Sequence, residues 1–237
     1  MELAPDAAAG VSAAVPLAWR PEDLRVGPAS LSFQTSLSVR DTAGPYAVGA
    51  TVTVSLDDDT DDVRLDVVPQ VPTPDREASG WLYPYAFMSD SPDLRVVLPK
   101  DGGLLLPARI EHPDYLGKGW SESGDVYDFR GLQAACFGMV HPGQGDGLLT
   151  IFATPWLGRV QAHVFPRPGE SAICLPGVRW QANMNRLDTR YSLIFHVSGA
   201  DGHSALARRY RRHLKAEGRV RSLAEKVVTH DNVRKAI

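Results

Sequence analysis

The sequence predicts a mainly β fold: a sandwich of antiparallel sheets closed by a short C-terminal helical tail. Three observations carry this prediction. Short runs of apolar residues alternate with polar ones at period two over most of the chain. Turn residues, 21 Gly and 18 Pro, are spread between those runs rather than gathered in one linker. The texture changes once, near Gly199, where the apolar spacing becomes helical.

The elements follow in order. Residues 1–16 are rich in Ala, Gly and Pro and are expected to form a flexible N-terminal segment. The sandwich is expected over residues 17–199 and the helical tail over 200–237. Leu31, Phe33, Leu37 and Val39 share one face of a strand over residues 30–39. Residues 47–56 and 63–71 alternate as cleanly and form a hairpin with an acidic tip, Asp57-Asp58-Asp59-Thr60-Asp61-Asp62. Asp57, Asp59 and Asp61 have the spacing of a calcium loop, but the sixth position is Asp62 rather than Gly and the twelfth is Val68 rather than Glu. The tip therefore reads as a solvated turn. Residues 95–98 and 103–106 are short strands around a Pro-Lys-Asp-Gly turn. Residues 120–128 lack periodicity and are expected to form a surface loop. Residues 132–140 and 148–153 are apolar strands joined by the turn His141-Pro142-Gly143-Gln144-Gly145-Asp146-Gly147. Residues 159–165, 172–175 and 191–197 continue the pattern.

Residues 203–218 read as a helix closed by Gly218, with Leu206, Tyr210 and Leu214 in one apolar stripe. Ser222-Leu223-Ala224-Glu225 has the capping-box spacing of a second short helix. The basic residues Arg208, Arg209, Arg211, Arg212, His213, Lys215, Arg219 and Arg221 are expected to cover the open faces around the stripe. Docking on an acidic protein surface is the alternative.

Composition limits the function. With 43% hydrophobic and 22% charged residues the chain can build a core, which excludes global disorder. A formal net charge of -3 argues against a nucleic-acid partner. No apolar run approaches the roughly 18 residues needed to cross a bilayer, so no membrane partner is expected. Acids at the N-terminus, Glu2 and Asp6, do not fit a signal peptide, and a cytoplasmic location is expected. Cys136 and Cys174 cannot build a disulfide framework; buried thiols are expected, with a single disulfide as the alternative. The seven histidines show no zincin spacing, and neither a metal nor a cofactor is expected. Glu111, Glu122, Asp125, Asp128 and Asp146 could supply a glycosidase pair, but nothing in their spacing selects one, so no catalytic residue is assigned. Among the aromatic residues, Trp81, Tyr83, Trp120 and Tyr127 are the candidate carbohydrate-binding positions, because flat amphipathic rings stack on sugar faces. A mutarotase-like acid–base pair, His141 with Glu122 or His196 with Glu111, is a weaker reading.

Several stretches together resemble a known group of enzymes. The order is Trp120-Ser121-Glu122-Ser123-Gly124 with Tyr127, then Gly145-Asp146-Gly147 before an apolar strand ending Thr154-Pro155. It continues with Tyr191-Ser192-Leu193-Ile194-Phe195-His196, Gly199-Ala200-Asp201-Gly202, Ala207-Arg208-Arg209-Tyr210-Arg211, Gly218-Arg219 and Leu223-Ala224-Glu225-Lys226. This resembles the N-terminal β-supersandwich region of large glycoside hydrolases, families 129 and 101 (α-N-acetylgalactosaminidases). The resemblance implies a galactose-mutarotase-like antiparallel β-supersandwich whose helical tail leads into a catalytic (β/α)8 barrel that carries the acid and base. The implied role is that of a non-catalytic domain supporting a carbohydrate-active barrel, in cis or in trans, with a carbohydrate as ligand. A stand-alone carbohydrate-binding module is the alternative.

Overall fold

The structure is a computed structural model. It describes residues 2–3, 18–41, 44–70, 78–82, 91, 93–99, 104–107, 109–110, 125–128, 134–153, 160–164, 172–173, 176–181, 190–220, 222, 224–225 and 228. Strands are numbered in chain order. A ten-stranded sheet holds β2 (Ala18–Trp19), β3 (Arg25–Val26), β4 (Ser30–Asp41), β5 (Gly44–Asp57), β6 (Asp62–Gln70), β8 (Arg95–Leu98), β9 (Leu104–Pro107), β12 (Cys136–Val140), β13 (Gly147–Phe152) and β17 (Tyr191–Ser198). Their order is β2-β4-β5-β6-β17-β13-β12-β8-β9, with β3 also on β4. A five-stranded sheet holds β1 (Glu2–Leu3), β7 (Ala78–Leu82), β11 (Asp125–Asp128), β14 (Val160–Val164) and β16 (Pro176–Gln181), in the order β1-β7-β16-β14-β11. A two-stranded ribbon pairs β10 (Arg109–Ile110) with β15 (Ala172–Ile173). The observed pairings are antiparallel, and the predicted fold class holds.

The local reasons are visible in the sequence. The acidic tip between β5 and β6 is a tight turn in which the Asp57 carbonyl accepts the amides of Thr60 and Asp61. The Asp57 carboxylate accepts the Asp59 amide at 3.0 Å. Asp61 stands at φ 54, a left-handed position that Asp tolerates better than most residues. Between β12 and β13 the chain reverses through Gly145 at φ 78. The expected surface loop at residues 120–128 is corrected in part: Asp125–Asp128 is β11, paired with β14. Four residues are too few to show a period against the glycine and serine that precede them.

The register gives the large sheet two unlike faces. Val52, Val67 and Tyr191 are cross-strand neighbours on one face, as are Leu65, Leu193 and Phe152. Phe137, Met139, Val96 and Leu98 continue that face across β12 and β8. These side chains are buried, and the rings of Phe137 and Phe152 lie 5.9 Å apart. The opposite face carries Cys136, Ile151 and Ile194 in one row and Gly138, Leu149 and His196 in the next.

Helix α1 (Gly202–Ala216) packs on that second face, against β12, β13 and β17. Leu206 of the predicted stripe is buried among Cys136, Val140, Leu149 and Ile151, with Tyr210 beside it. Gly138 makes room for it, and Gly147 leaves room for the backbone of β12. A Cβ at Gly138 would meet Leu206 Cδ1 at 2.6 Å, and one at Gly147 would meet the Met139 carbonyl oxygen at 2.8 Å. The helix ends as the sequence predicts: Gly218, at φ 68, donates to Lys215 and Arg219 donates to Leu214, which satisfies two terminal carbonyls. After it the capping box is formed in both directions, Ser222 amide to Glu225 at 2.5 Å and Glu225 amide to Ser222 Oγ at 3.2 Å.

Candidate functional site

The candidate sugar-stacking residues are not gathered into one platform. Trp81 lies on β7 in register with Trp180 of β16, and Tyr127 lies on β11 in register with Ala162 of β14. Two strands separate β7 from β11, which puts the two positions about 14 Å apart across the sheet. Tyr83 and Trp120 lie outside the described residues.

The titratable side chains form three clusters. The first joins α1 to the large sheet. Asp62, at the start of β6, accepts from Arg209 Nη2 and Nε and from His196 Nδ1, the last at 2.8 Å. The Asp62 side chain is 2% exposed and that of Arg209 9%. Burial pushes the Asp62 carboxyl up, but the hydrogen bonds of Arg209 and His196 and the guanidinium charge outweigh it and hold it below the ordinary carboxylate value. The expectation that the basic residues of α1 all cover open faces is thus corrected at Arg209. It fits inside because Asp62 supplies a geometry-matched carboxylate. Nearby, burial and the charges of Arg209 and Arg219 hold the His213 imidazole below its ordinary value against the pull of Glu217.

The second cluster lies on the same face, farther along β6. Asp66 accepts from Arg64, from Arg190 with a closest approach of 2.7 Å, and from the Ser192 hydroxyl. Burial raises its carboxyl, and the bonds of Arg190, Ser192 and Arg64 more than reverse this. In both clusters donors surround the carboxylate, so neither presents a free base. They hold β6 to β17 and α1.

The third cluster is the His141–Asp146 pair at the β12–β13 turn, Nδ1 to Oδ1 at 3.1 Å. Its Nε2 is buried without a hydrogen-bond partner. A cavity of about 260 Å³ adjoins the pair and is lined mainly by Leu94, Met139, Leu148 and Val197. The proposed acid–base partners, Glu122 for His141 and Glu111 for His196, lie outside the described residues. The two imidazoles instead face Asp146 and Asp62. Of the carboxylates weighed for a glycosidase pair, Asp125 and Asp128 are the two ends of β11, while Glu111 and Glu122 lie outside the described residues. Among the described residues no group of three or more His, Cys, Asp or Glu could hold a metal ion.

Cys136 is a buried free thiol, which burial pushes up to about 12; Cys174 lies outside the described residues. No described helix is long and apolar enough to cross a membrane. What sequence reasoning missed is the Asp62–Arg209 pair and the strand β16. The latter did leave a signal: Val178 and Trp180 alternate with Arg179 and Gln181.

Comparisons with known proteins bear on the fold. No family model matches the chain, and no curated protein matches it in sequence. Solved structures do match. An α-N-acetylgalactosaminidase from Bifidobacterium bifidum, NagBb, superposes as its quadruple mutant with a TM-score of 0.70 at 18% identity, covering 99% of this chain and 36% of that one. Its complex with GalNAc gives 0.70 at 18% identity, covering 94% and 34%. A much looser likeness, TM-score 0.40 at 13% identity, is to a putative aldose 1-epimerase from Escherichia coli, covering 76% and 68%. The chain therefore has the fold of one part of a glycosidase and spans about a third of that enzyme's length.

Proposed function

We propose that this chain is a non-catalytic β-sandwich domain of a glycoside hydrolase-like protein. It supports a carbohydrate-active catalytic part, a (β/α)8 barrel in cis or in trans. One observation carries the reading: nearly the whole chain superposes on only about a third of an α-N-acetylgalactosaminidase. Two features of the described residues favour a supporting role. The buried carboxylates Asp62 and Asp66 are saturated by arginine, histidine and serine donors, which suits bracing rather than proton transfer. Trp81 on β7 and Tyr127 on β11 lie three strand spacings apart, which speaks against one shared stacking platform.

The reading is tested with the purified chain. Calorimetric titration with galactose and N-acetylgalactosamine is expected to give no saturable heat. Polarimetry is expected to show no acceleration of galactose anomer interconversion. Saturable binding lost in Trp81→Ala or Tyr127→Ala would favour the stand-alone binding module. Catalysed interconversion lost in His141→Gln would favour the epimerase. Either result overturns the supporting role.

A further inference from the structure

We propose that the outer face of α1 and the acidic β5–β6 turn form a reciprocal contact between two copies of this chain. The inner face of α1 is spent on the sheet, through Leu206 and Arg209. The outer face presents Arg208, Arg211, Arg212 and Lys215, all exposed, which line a shallow groove of about 410 Å³. These four occupy i, i+3, i+4 and i+7, so every helical neighbour among them is a like charge, at a cost of a few tenths of a kcal/mol per pair. Arg208 is relieved by Asp201 at 2.5 Å. Among the described residues Arg211, Arg212 and Lys215 make no ion pair, and Glu217 is taken by His213 and Arg219. The whole chain is formally -3, so the patch is a local concentration rather than a bulk excess.

The complement is on the same molecule. Asp57, Asp58, Asp59 and Asp61 are exposed on a turn held by its own backbone bonds. Among the described residues none of them pairs with a cation. The next residue, Asp62, is the one bound to Arg209, so the turn ends one residue from the side chain that anchors the helix. A two-fold axis there lets each turn lie along the other copy's helix, which satisfies both patches in one self-complementary interface. Three of the four cations are arginines, whose fork matches carboxylates.

Sedimentation velocity on the full chain tests this. In about 0.01 M salt, where charges act over about 30 Å, the mass is expected to rise with concentration towards about twice the monomer's; in about 1 M salt it is expected to stay monomeric. The helix reversal Arg211→Glu/Arg212→Glu/Lys215→Glu and the turn reversal Asp57→Lys/Asp58→Lys/Asp59→Lys are each expected to be monomeric at low salt, with circular dichroism confirming the fold. An equimolar mixture of the two is expected to form a one-to-one heterodimer, because every contact then again joins opposite signs. A wild-type chain that stays monomeric at low salt overturns the second copy as the occupant of the helix face. So do variants that associate as well as wild type, or a mixture that stays monomeric.

Discussion

Asp62, the first residue of β6, and Arg209, in the middle of α1, close a buried ion pair across 147 residues of sequence. The pair fixes the helix on the large sheet at the point where β6, β17 and α1 meet, with His196 as a further donor to the same carboxylate. Asp62→Asn keeps the shape but leaves the guanidinium buried against a neutral acceptor. The expected loss is about 3–5 kcal/mol, because an uncompensated buried charge is the expensive case. Asp62→Asn combined with Arg209→Met is expected to lie closer to wild type than Asp62→Asn alone. Urea unfolding of the three variants checks this.

The docking of Leu206 against Gly138 makes a second prediction, one about non-additivity. Leu206→Ala empties a site that is 3% exposed and is expected to cost about 2–5 kcal/mol. Gly138→Ala alone drives a Cβ into Leu206 Cδ1 and is expected to destabilise by about 1–3 kcal/mol. In the Leu206→Ala background the same change meets only ordinary contacts, the Leu148 carbonyl oxygen at 3.5 Å and Val97 Cβ at 3.6 Å. A double-mutant cycle by denaturant unfolding is therefore expected to show the two losses falling well short of their sum.

Part of this architecture is legible in the amino-acid sequence alone. The strands around residues 30–70 announce themselves because apolar and polar residues alternate along them, and this holds even in β6, where Leu65, Asp66 and Val67 are all buried. The helix and its two termini are legible because capping is local chemistry: Gly218 and Ser222 with Glu225 act within a few residues of themselves. The role of Arg209 is not legible there. Its neighbours Arg208, Arg211 and Arg212 look the same in sequence and are exposed, and what distinguishes it is a carboxylate far away along the chain. Gly138 likewise reads as a flaw in an apolar strand until a leucine from α1 is seen to need the space. The candidate aromatic positions can be recognised by type, but their face depends on strand register, which no single segment carries.

Stability is expected to fall with acid in two stages. The His213 imidazole is held below its ordinary value in the fold, so the unfolded chain binds protons first as pH falls below about 6.5. Asp62 and Asp66 are held below the ordinary carboxylate value, so their contribution is complete above about pH 4 and is lost as pH falls through their folded values. Thermal midpoints measured against pH are expected to decline gently below about 6.5 and steeply below about 4. His213→Gln is expected to remove the upper step and leave the lower one.

The thiol of Cys136 is expected to be inert in the folded chain. Burial beside Ile151 and Leu206 raises it to about 12, so almost no thiolate exists at neutral pH. In a Cys174→Ser background a disulfide reagent is expected to report no reactive thiol under native conditions and one after unfolding in urea. Reaction at the rate of a free thiol in native buffer would contradict this.

We propose that this sandwich carries no glycosidase machinery of its own. Hydrolysis of an aryl α-N-acetylgalactosaminide by the purified chain tests it most directly. The expected rate equals the buffer control and is unchanged in Asp146→Asn. Turnover above that control that disappears on replacing a single carboxylate of this chain would contradict it.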